Sequence, residues 1–485
     1  KKKTNLILTT EQNTVYKKLI NSLQSFPLIP TLLSGPSASG KTIVYTKVIQ
    51  SYLKKKKQII VLVPEVSLIQ KTFNELNIYY PAMVGIWHSK LSQSEKNYIL
   101  DEIKSNHLNI IVATRSGIFT PFSRLGLIVV DEEQENSYKQ DLNRPYYHAK
   151  DVALMRAKFN ESAVLLVSSS PSLETYYNIQ KSKYHNYALK STYFKNQYPE
   201  VKLVDMTIQK GILSRILINS IEETMKKNEQ IILLQNKKGI SGSGIQKIES
   251  ILYKFFPTLK ILRYDRNTIS KKSEYYTILD KFKAHKADIL IGTQFLAKGL
   301  DFKNVSLIGM INADIGLSIP DFRSEERIFQ LIYQLIGRTF HSNKKSTVII
   351  QSYSTDNFYI KSACKQEIKK SYASIMAERK ELYYPPYSKL IKILFFGKNA
   401  IKTQKKAKTF FSILNKNINI MILGPSPAPI EYLDGYWRYQ ILIKCKKTYW
   451  QKFHDWINDN IAMTEFENQR KPVKIKIDVD TTSIL

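Results

Sequence analysis

The chain has 485 residues, more than one hydrophobic core usually supports, so two to four domains are expected. Hydrophobic residues make up 43% and charged residues 24%, the balance of an ordinary globular protein, no low-complexity tract is present, and no apolar run approaches the roughly 18 residues that cross a bilayer as a helix. Lys plus Arg (73) exceed Asp plus Glu (41) for a net charge of +32, which suits a polyanionic partner; the excess of Lys over Arg, with abundant Asn, Ile and Tyr, is also what AT-rich coding imposes on any protein.

From the start, Lys1-Lys2-Lys3-Thr4 has no apolar segment behind its charges and does not read as a secretory signal; it lacks an initiator Met, as a fragment or a processed form would. Short β-branched runs then alternate with helical patterns. Strands are predicted at Thr31–Ser34, Gln58–Val63, Asn109–Ala113, Leu127–Val130 and Ala163–Val167, with helices such as Thr42–Leu53 and Val66–Leu76 between them. A second series begins near Val201 and takes in Gln230–Leu234, Leu259–Arg263, Asp288–Ile291, Val305–Gly309 and Thr347–Gln351. Two such series predict an α/β fold with two parallel-sheet lobes and a ligand cleft between them. Beyond residue 355 a charged helix from Asn357 to Lys380 leads into Tyr383-Tyr384-Pro385-Pro386-Tyr387, whose prolines cannot continue it. Strands at Lys389–Phe396, Trp437–Lys444 and Val473–Val479 with a helix at Ile401–Asn415 then predict a small α+β domain. The expected divisions are 1–196, 197–354 and 355–485. Cys364 and Cys445 stand too far apart for a disulfide framework or a multi-cysteine zinc site, and a reducing cytoplasm is the natural setting.

Gly35-Pro36-Ser37-Ala38-Ser39-Gly40-Lys41-Thr42 fits G-x-x-x-x-G-K-[ST] between a strand and a helix. Gly35, Ser37, Ser39 and Gly40 are expected to wrap backbone N–H groups around phosphate oxygens, with Lys41 reaching the β- and γ-phosphates of a nucleotide and the Thr42 hydroxyl joining a Mg²⁺ shell. Leu127-Ile128-Val129-Val130-Asp131-Glu132-Glu133 supplies the complementary strand end: Asp131 to hold Mg²⁺, Glu132 to orient and deprotonate water. A nucleotide fold alone also fits a kinase, a GTPase or a transporter subunit, so the second lobe decides. There Gly292-Thr293-Gln294, Lys298-Gly299-Leu300-Asp301-Phe302 and Gln334-Leu335-Ile336-Gly337-Arg338 follow in the order of two-lobed helicases. They resemble segments that contact the nucleic-acid backbone, with Thr293, Gln294 and Lys298 as candidates, and that bring Gln334 and Arg338 to the nucleotide. An arginine placed across the cleft couples closure to hydrolysis.

Longer runs narrow the reading. They are Val63-Pro64-Glu65-Val66-Ser67-Leu68, His88-Ser89 with Leu91-Ser92, Ala113-Thr114-Arg115-Ser116 and Phe119-Thr120-Pro121-Phe122. Further on come Ser137-Tyr138-Lys139-Gln140, Tyr147-His148-Ala149 with Asp151, Ser168-Ser169-Ser170-Pro171-Ser172, and Asp321-Phe322-Arg323-Ser324 with Glu326-Arg327. Gly424-Pro425, Trp437-Arg438-Tyr439-Gln440 and Asp478-Val479-Asp480 complete the set. On these residues the chain resembles the PriA family of primosomal replication-restart helicases over nearly its whole length.

The resemblance implies two RecA-like lobes and a C-terminal domain, ATP and Mg²⁺ as cofactors, and a monomer in the bacterial cytoplasm, at the nucleoid. It implies 3′ to 5′ translocation on single-stranded DNA, unwinding at stalled and forked DNA, and partnership with the proteins that reload the replicative helicase. Arg115, Ser116, Tyr138, Lys139 and Gln140 become DNA-contact candidates, with Tyr138, Tyr146 and Tyr147 placed to stack on bases and Lys139 and Arg144 to meet phosphate; a tyrosine-rich loop is also inexpensive in a chain that is 11% aromatic.

Four departures stand out. The family's two-zinc module has no counterpart where Asn236-Lys237-Lys238-Gly239-Ile240-Ser241 runs into Gly242-Ser243-Gly244-Ile245, so no zinc is expected. Nothing before Thr9-Thr10-Glu11-Gln12 corresponds to the family's N-terminal DNA-binding domains. Gln134 stands where the family has His, and His341 where it has a second arginine whose rigid fork an imidazole does not reproduce. The alternatives are a non-motor DNA-binding scaffold, which these changes motivate and the intact phosphate loop and acidic pair oppose, and another DNA or RNA helicase sharing only the core, which the C-terminal match disfavours.

Overall fold

The computed structural model describes residues 6–141, 143–192, 198–235, 243–264, 272–293, 302, 304–341, 346–414, 420–457 and 472–484. The chain forms two compact units, one of Lys1–Gln140, Tyr147–Ser318 and Arg327–Ser371, the other of Asp141–Tyr146, Ile319–Glu326 and Tyr372–Leu485.

In the first unit, α1 (Thr10–Gln24) opens with a reciprocal capping box: Thr9 accepts from the Gln12 N–H and the Gln12 side chain accepts from the Thr9 N–H. There follow β1 (Thr31–Ser34), α2 (Lys41–Lys54), β2 (Gln58–Leu62), α3 (Val66–Tyr79), β3 (Val84–Trp87), α4 (Gln93–Lys104), β4 (Ile110–Ala113) and a 3₁₀ turn at Arg115–Phe119. The series continues with β5 (Leu125–Asp131), the short hairpin β6 (Lys139–Gln140) and β7 (Tyr147–His148), α5 (Ala149–Phe159), β8 (Ala163–Ser168), α6 (Leu173–Gln180) and β9 (His185–Ala188). The sheet order is β3-β4-β2-β5-β8-β1-β9, every pair parallel. Its central strands, such as Gln58-Ile59-Ile60-Val61-Leu62, are buried throughout because crossover helices cover both faces. The strand Val84–Trp87 has no counterpart in the sequence reading; it is a short edge strand.

The second parallel sheet of this unit has the order β10-β15-β14-β11-β13-β12, from β10 (Glu200–Asp205), β11 (Gln230–Leu234), β12 (Ile261–Tyr264), β13 (Ile289–Gly292), β14 (Val305–Met310) and β15 (Thr347–Ser352). Helices α7 (Arg215–Lys226), α8 (Ser243–Phe255), α9 (Lys272–Lys283) and α10 (Ser324–Gly337) connect it. The helix expected from Asn357 to Lys380 is instead two, α11 (Phe358–Cys364) and α12 (Ile368–Glu381). Gln366, at φ +58°, turns the chain left-handed, and the N–H groups of Gln366 and Glu367 close back onto Ala363 O and Ser362 O at 3.0 and 2.9 Å. This is a Schellman closure built without glycine, so composition does not announce it.

The second unit contains α13 (Ala400–Leu414), α14 (Trp450–Ile457) and an antiparallel sheet of order β17-β18-β16-β19, from β16 (Ser388–Gly397), β17 (Ile420–Leu433), β18 (Tyr436–Lys446) and β19 (Val473–Val479). β17 escapes prediction because Pro425, Pro427 and Pro429 interrupt it; an edge position tolerates them. Arg379 is buried here, donating to Glu326 at 2.7 Å and to the carbonyls of Phe322 and Pro385 at 3.2 Å. Phe322 stacks on Tyr384 with ring centroids 4.9 Å apart, and Lys444 Nζ lies 3.6 Å from the Tyr384 centroid. The stretch from Ile319 to Glu326 is thus held by an ion pair, a stack and the Arg323 and Arg379 guanidinium groups, 4.9 and 5.1 Å from the Phe322 ring centroid.

Candidate nucleotide site

The loop from Gly35 to Gly40 follows β1 and opens α2. A Cβ on Gly35 would meet Leu189 O at 2.8 Å, and Gly40, at φ +82°, sits against the Gln12 side chain, so both positions demand glycine. Gln12 Nε2 donates to Ser39 O at 3.0 Å, tying α1 to the loop. The signal for Gln12 in the sequence is the Thr9-to-Gln12 capping-box spacing. Lys41 Nζ donates to Gly35 O and Pro36 O, both at 2.8 Å. Burial lowers the Lys41 pKa, with Arg338 acting in the same direction, while Glu132 and Asp131 oppose it. The Ser39 hydroxyl is buried with no hydrogen-bond partner. Two obligatory glycines, a lysine at the loop and an orphaned hydroxyl fit a triphosphate, and Thr42 with Asp131 fits a hard oxygen-liganded cation such as Mg²⁺.

Asp131 ends β5, and Glu132 follows at φ +48°, a conformation that non-glycine residues adopt at a cost. Asp131 Oδ1 accepts from the Glu132 N–H at 3.0 Å and Oδ2 from the Tyr45 hydroxyl at 3.4 Å. Burial first, then the neighbouring Glu132 carboxylate, pushes the Asp131 pKa up to about 7 against the pull of Lys41. Gln134 Nε2 donates to Glu132 Oε2 at 2.8 Å, while its Oε1 accepts from the Ser168 hydroxyl at 2.5 Å. The amide therefore bridges the acidic turn to the end of β8.

Glu133 points the other way, into the interior. It accepts from Lys150 Nζ at 2.7 Å, from the Ser172 N–H at 2.7 Å and hydroxyl at 3.0 Å, and from Thr175 Oγ1 at 2.9 Å. Burial works to lower the Lys150 pKa, but the Glu133, Glu174 and Asp151 carboxylates and the hydrogen bond to Glu133 together outweigh it, and the net shift is upward.

The second lobe reaches this site through α10. A Cβ on Gly337 would lie 2.8 Å from Ser37 Cβ, and Gln330 Nε2 donates to Ser170 O at 3.3 Å. Gln334 is buried on the same helix, and Arg338 follows its last turn, close enough to Lys41 to lower its pKa. Sequence reading did not single out Tyr45 or Gln330.

The nucleic-acid candidates fare differently. Tyr138 is fully buried and its hydroxyl donates to Asp131 O at 2.5 Å and Leu62 O at 3.0 Å, so it is a strut beneath the acidic turn and not a stacking platform. Lys139 is only 4% exposed. Arg115 Nη1 donates to Ser137 O and Lys139 O at 3.2 and 3.1 Å. Ser116, Gln140 and Thr293 each present a buried polar atom with no partner. Tyr147 packs edge-on against Phe119 at 5.2 Å. Tyr146, in the second unit, lies under Lys476 at 4.9 Å. Gln294, Lys298, the His341 side chain and the 236–242 junction lie outside the described residues. Among the described residues no group of three or more His, Cys, Asp or Glu is placed to hold a metal, and no helix is long and apolar enough to cross a membrane.

The sequence matches the DEAD/DEAH box helicase family over residues 9–179, the helicase conserved C-terminal domain over 211–377 and the primosomal protein N C-terminal domain over 380–482. It is 31% identical to the replication restart protein PriA of Rickettsia felis, covering 94% of this chain and 78% of that protein. The chain belongs to the PriA family. Against PriA of Bacillus subtilis identity is 35%, covering 92% of this chain but 63% of that protein's length, and against PriA of Chlamydia muridarum it is 33%, covering 90% and 67%. Among solved structures, the helicase Lhr of Mycobacterium smegmatis bound to ssDNA and AMP-PNP superposes with a TM-score of 0.54 at 13% identity, covering 76% of this chain and 48% of that one. The DUF1998 helicase MrfA bound to DNA gives 0.52 at 15%, covering 75% and 51%. At that identity the likeness is one of fold: two RecA-like lobes, as expected of the PriA family.

Proposed function

We propose that this chain is an ATP-dependent DNA translocase and helicase of replication restart, moving 3′ to 5′ on single-stranded DNA, acting at stalled forks and assisting primosome assembly. Mg²⁺–ATP supplies the phosphoryl group and the divalent charge. The chain's own residues do the rest. The loop amides and Lys41 bind the phosphates, Thr42 and Asp131 hold the cation, and Glu132 takes a proton from water at a carboxylate oxygen. Gln134 orients that carboxylate, and Arg338 adds positive charge across the cleft.

The observation that supports this reading most is the seating of α10. Its Gly337 lies against Ser37 of the phosphate loop and its Gln330 reaches Ser170, so the second lobe is placed to respond to what the first lobe binds. The Gln134 bridge supports catalysis over a passive scaffold, because the amide occupies both of its neighbours.

The test is steady-state ATP hydrolysis with and without single-stranded DNA, and with RNA of the same length at the same salt, beside Lys41→Ala. DNA stimulation that vanishes in the variant is the expected result. Nucleotide binding without stimulated turnover would assign the chain to the scaffold class, and equal stimulation by RNA to another helicase class.

A further inference from the structure

The Lys150–Glu133 pair is buried in the interior, beside the acidic turn. Yet α5, which carries Lys150, is where several candidate nucleic-acid segments converge. The helix begins directly after β7, which pairs with β6 through Lys139↔His148 and Gln140↔Tyr147. His148 caps it by accepting from the Lys150 N–H at 3.3 Å. Further along, Arg156 donates to the carbonyls of Ile118 and, at 2.7 Å, Thr120, at the end of the turn that starts with Arg115. The Phe119–Tyr147 contact closes the same group.

The first turn of the same helix meets the nucleotide site. Lys150 Nζ bonds Glu133 at 2.7 Å and Ser172 Oγ at 3.0 Å. Glu133 is covalently next to Glu132, and Ser172 lies four residues beyond Ser168, which holds Gln134. A buried ion pair with this many bonds is satisfied in one relative placement of α5, the acidic turn and the start of α6. Displacing α5 breaks charge-assisted bonds together instead of stretching them gradually, the behaviour a two-state coupling element needs.

We propose that Lys150 is a positioning residue for turnover, carrying displacement of the segments tied to α5 to Glu132 and Gln134 by way of Glu133 and Ser172. The proposal rests on the motor reading above. Lys150→Met alone strands a buried carboxylate, so the informative variant is the double Lys150→Met/Glu133→Gln, with Lys150→Arg as the conservative control. Each is measured for Tm, for kcat and KM of ATP with and without a single-stranded oligonucleotide, and for oligonucleotide affinity with and without a non-hydrolysable ATP analogue.

The double variant should fold, keep its KM and its DNA-independent kcat, and lose DNA stimulation by at least about fivefold, the lower range of allosteric coupling. Lys150→Arg should retain most of the stimulation. Full stimulation in the folded double variant would overturn the proposal, as would an equal fall of stimulated and unstimulated kcat. A parent without stimulation overturns the motor reading, and the affinity measurement then decides. An analogue-induced change in DNA affinity present in the parent and absent in the double variant sustains Lys150 as the link; the same change in both, or none in either, removes it.

Discussion

Gln134 donates to Glu132 at 2.8 Å while accepting from Ser168, so a residue that departs from the family pattern occupies a bridge between the acidic turn and the neighbouring strand end. An amide can do this because it offers a donor and an acceptor at once, as a neutral imidazole does. Gln134→Ala removes both bonds, and DNA-stimulated kcat should fall by about tenfold or more, the scale of a lost group in proton-transfer chemistry. Gln134→His should keep most of the activity. Comparable kcat values in Gln134→Ala and the parent would dismiss the bridge.

Gly337→Ala tests the seating of α10. The added methyl would meet Ser37 Cβ at 2.8 Å, and rotating the Ser37 hydroxyl does not move that carbon. Overpacking of this kind costs about 1–3 kcal/mol, so kcat/KM for ATP should drop by about an order of magnitude or more. The check is steady-state kinetics beside a melting curve. Unchanged kcat/KM in a folded variant would mean the cleft closes without this contact.

Asp131 sets a pH dependence of stability. With its folded pKa pushed up to about 7 against an unfolded value near 4, the folded state binds the proton more tightly. Stability therefore declines as pH rises between those values and stays lower above them. Asp131→Asn removes the titration. Without nucleotide or divalent cation, the variant should out-melt the parent at about pH 8, and the advantage should disappear near about pH 4. A Tm difference that is flat across this range would exclude the carboxylate's charge as its source.

Tyr138→Phe separates support from recognition. The hydroxyl's two carbonyl partners, Leu62 O and Asp131 O, lose their donor, costing about 1–3 kcal/mol. Tm should fall while single-stranded DNA affinity, read by fluorescence anisotropy, stays at the parental value. Weakened DNA binding with unchanged Tm would reinstate Tyr138 as a base-stacking residue.

The two parallel sheets were legible because buried strands such as Gln58–Leu62 are continuous apolar runs, and the Gly35–Thr42 and Asp131–Glu132 motifs constrain backbone and chemistry together. The break at Gln366 was not, since a left-handed residue other than glycine leaves no compositional mark. Strand β17 was hidden by prolines that only an edge position accommodates. Tyr138 was misread for a different reason: spacing places a tyrosine on a loop but does not say which way its ring turns, and here it turns inward under Asp131. The Lys150–Glu133 pair, 17 residues apart, follows no motif spacing.

The second compact unit takes Ile319–Glu326 from the middle of the helicase sequence, and Glu326 meets its cation, Arg379, in a helix that begins 42 residues later at Ile368. A protease nick or engineered truncation just before Tyr372 would therefore not liberate a self-sufficient motor. It would leave Phe322, just before α10, without Tyr384, and Glu326, in the first turn of α10, without Arg379. Recombination that swapped only the C-terminal stretch would meet the same obstacle, because the inherited block is discontinuous and its pieces must travel together.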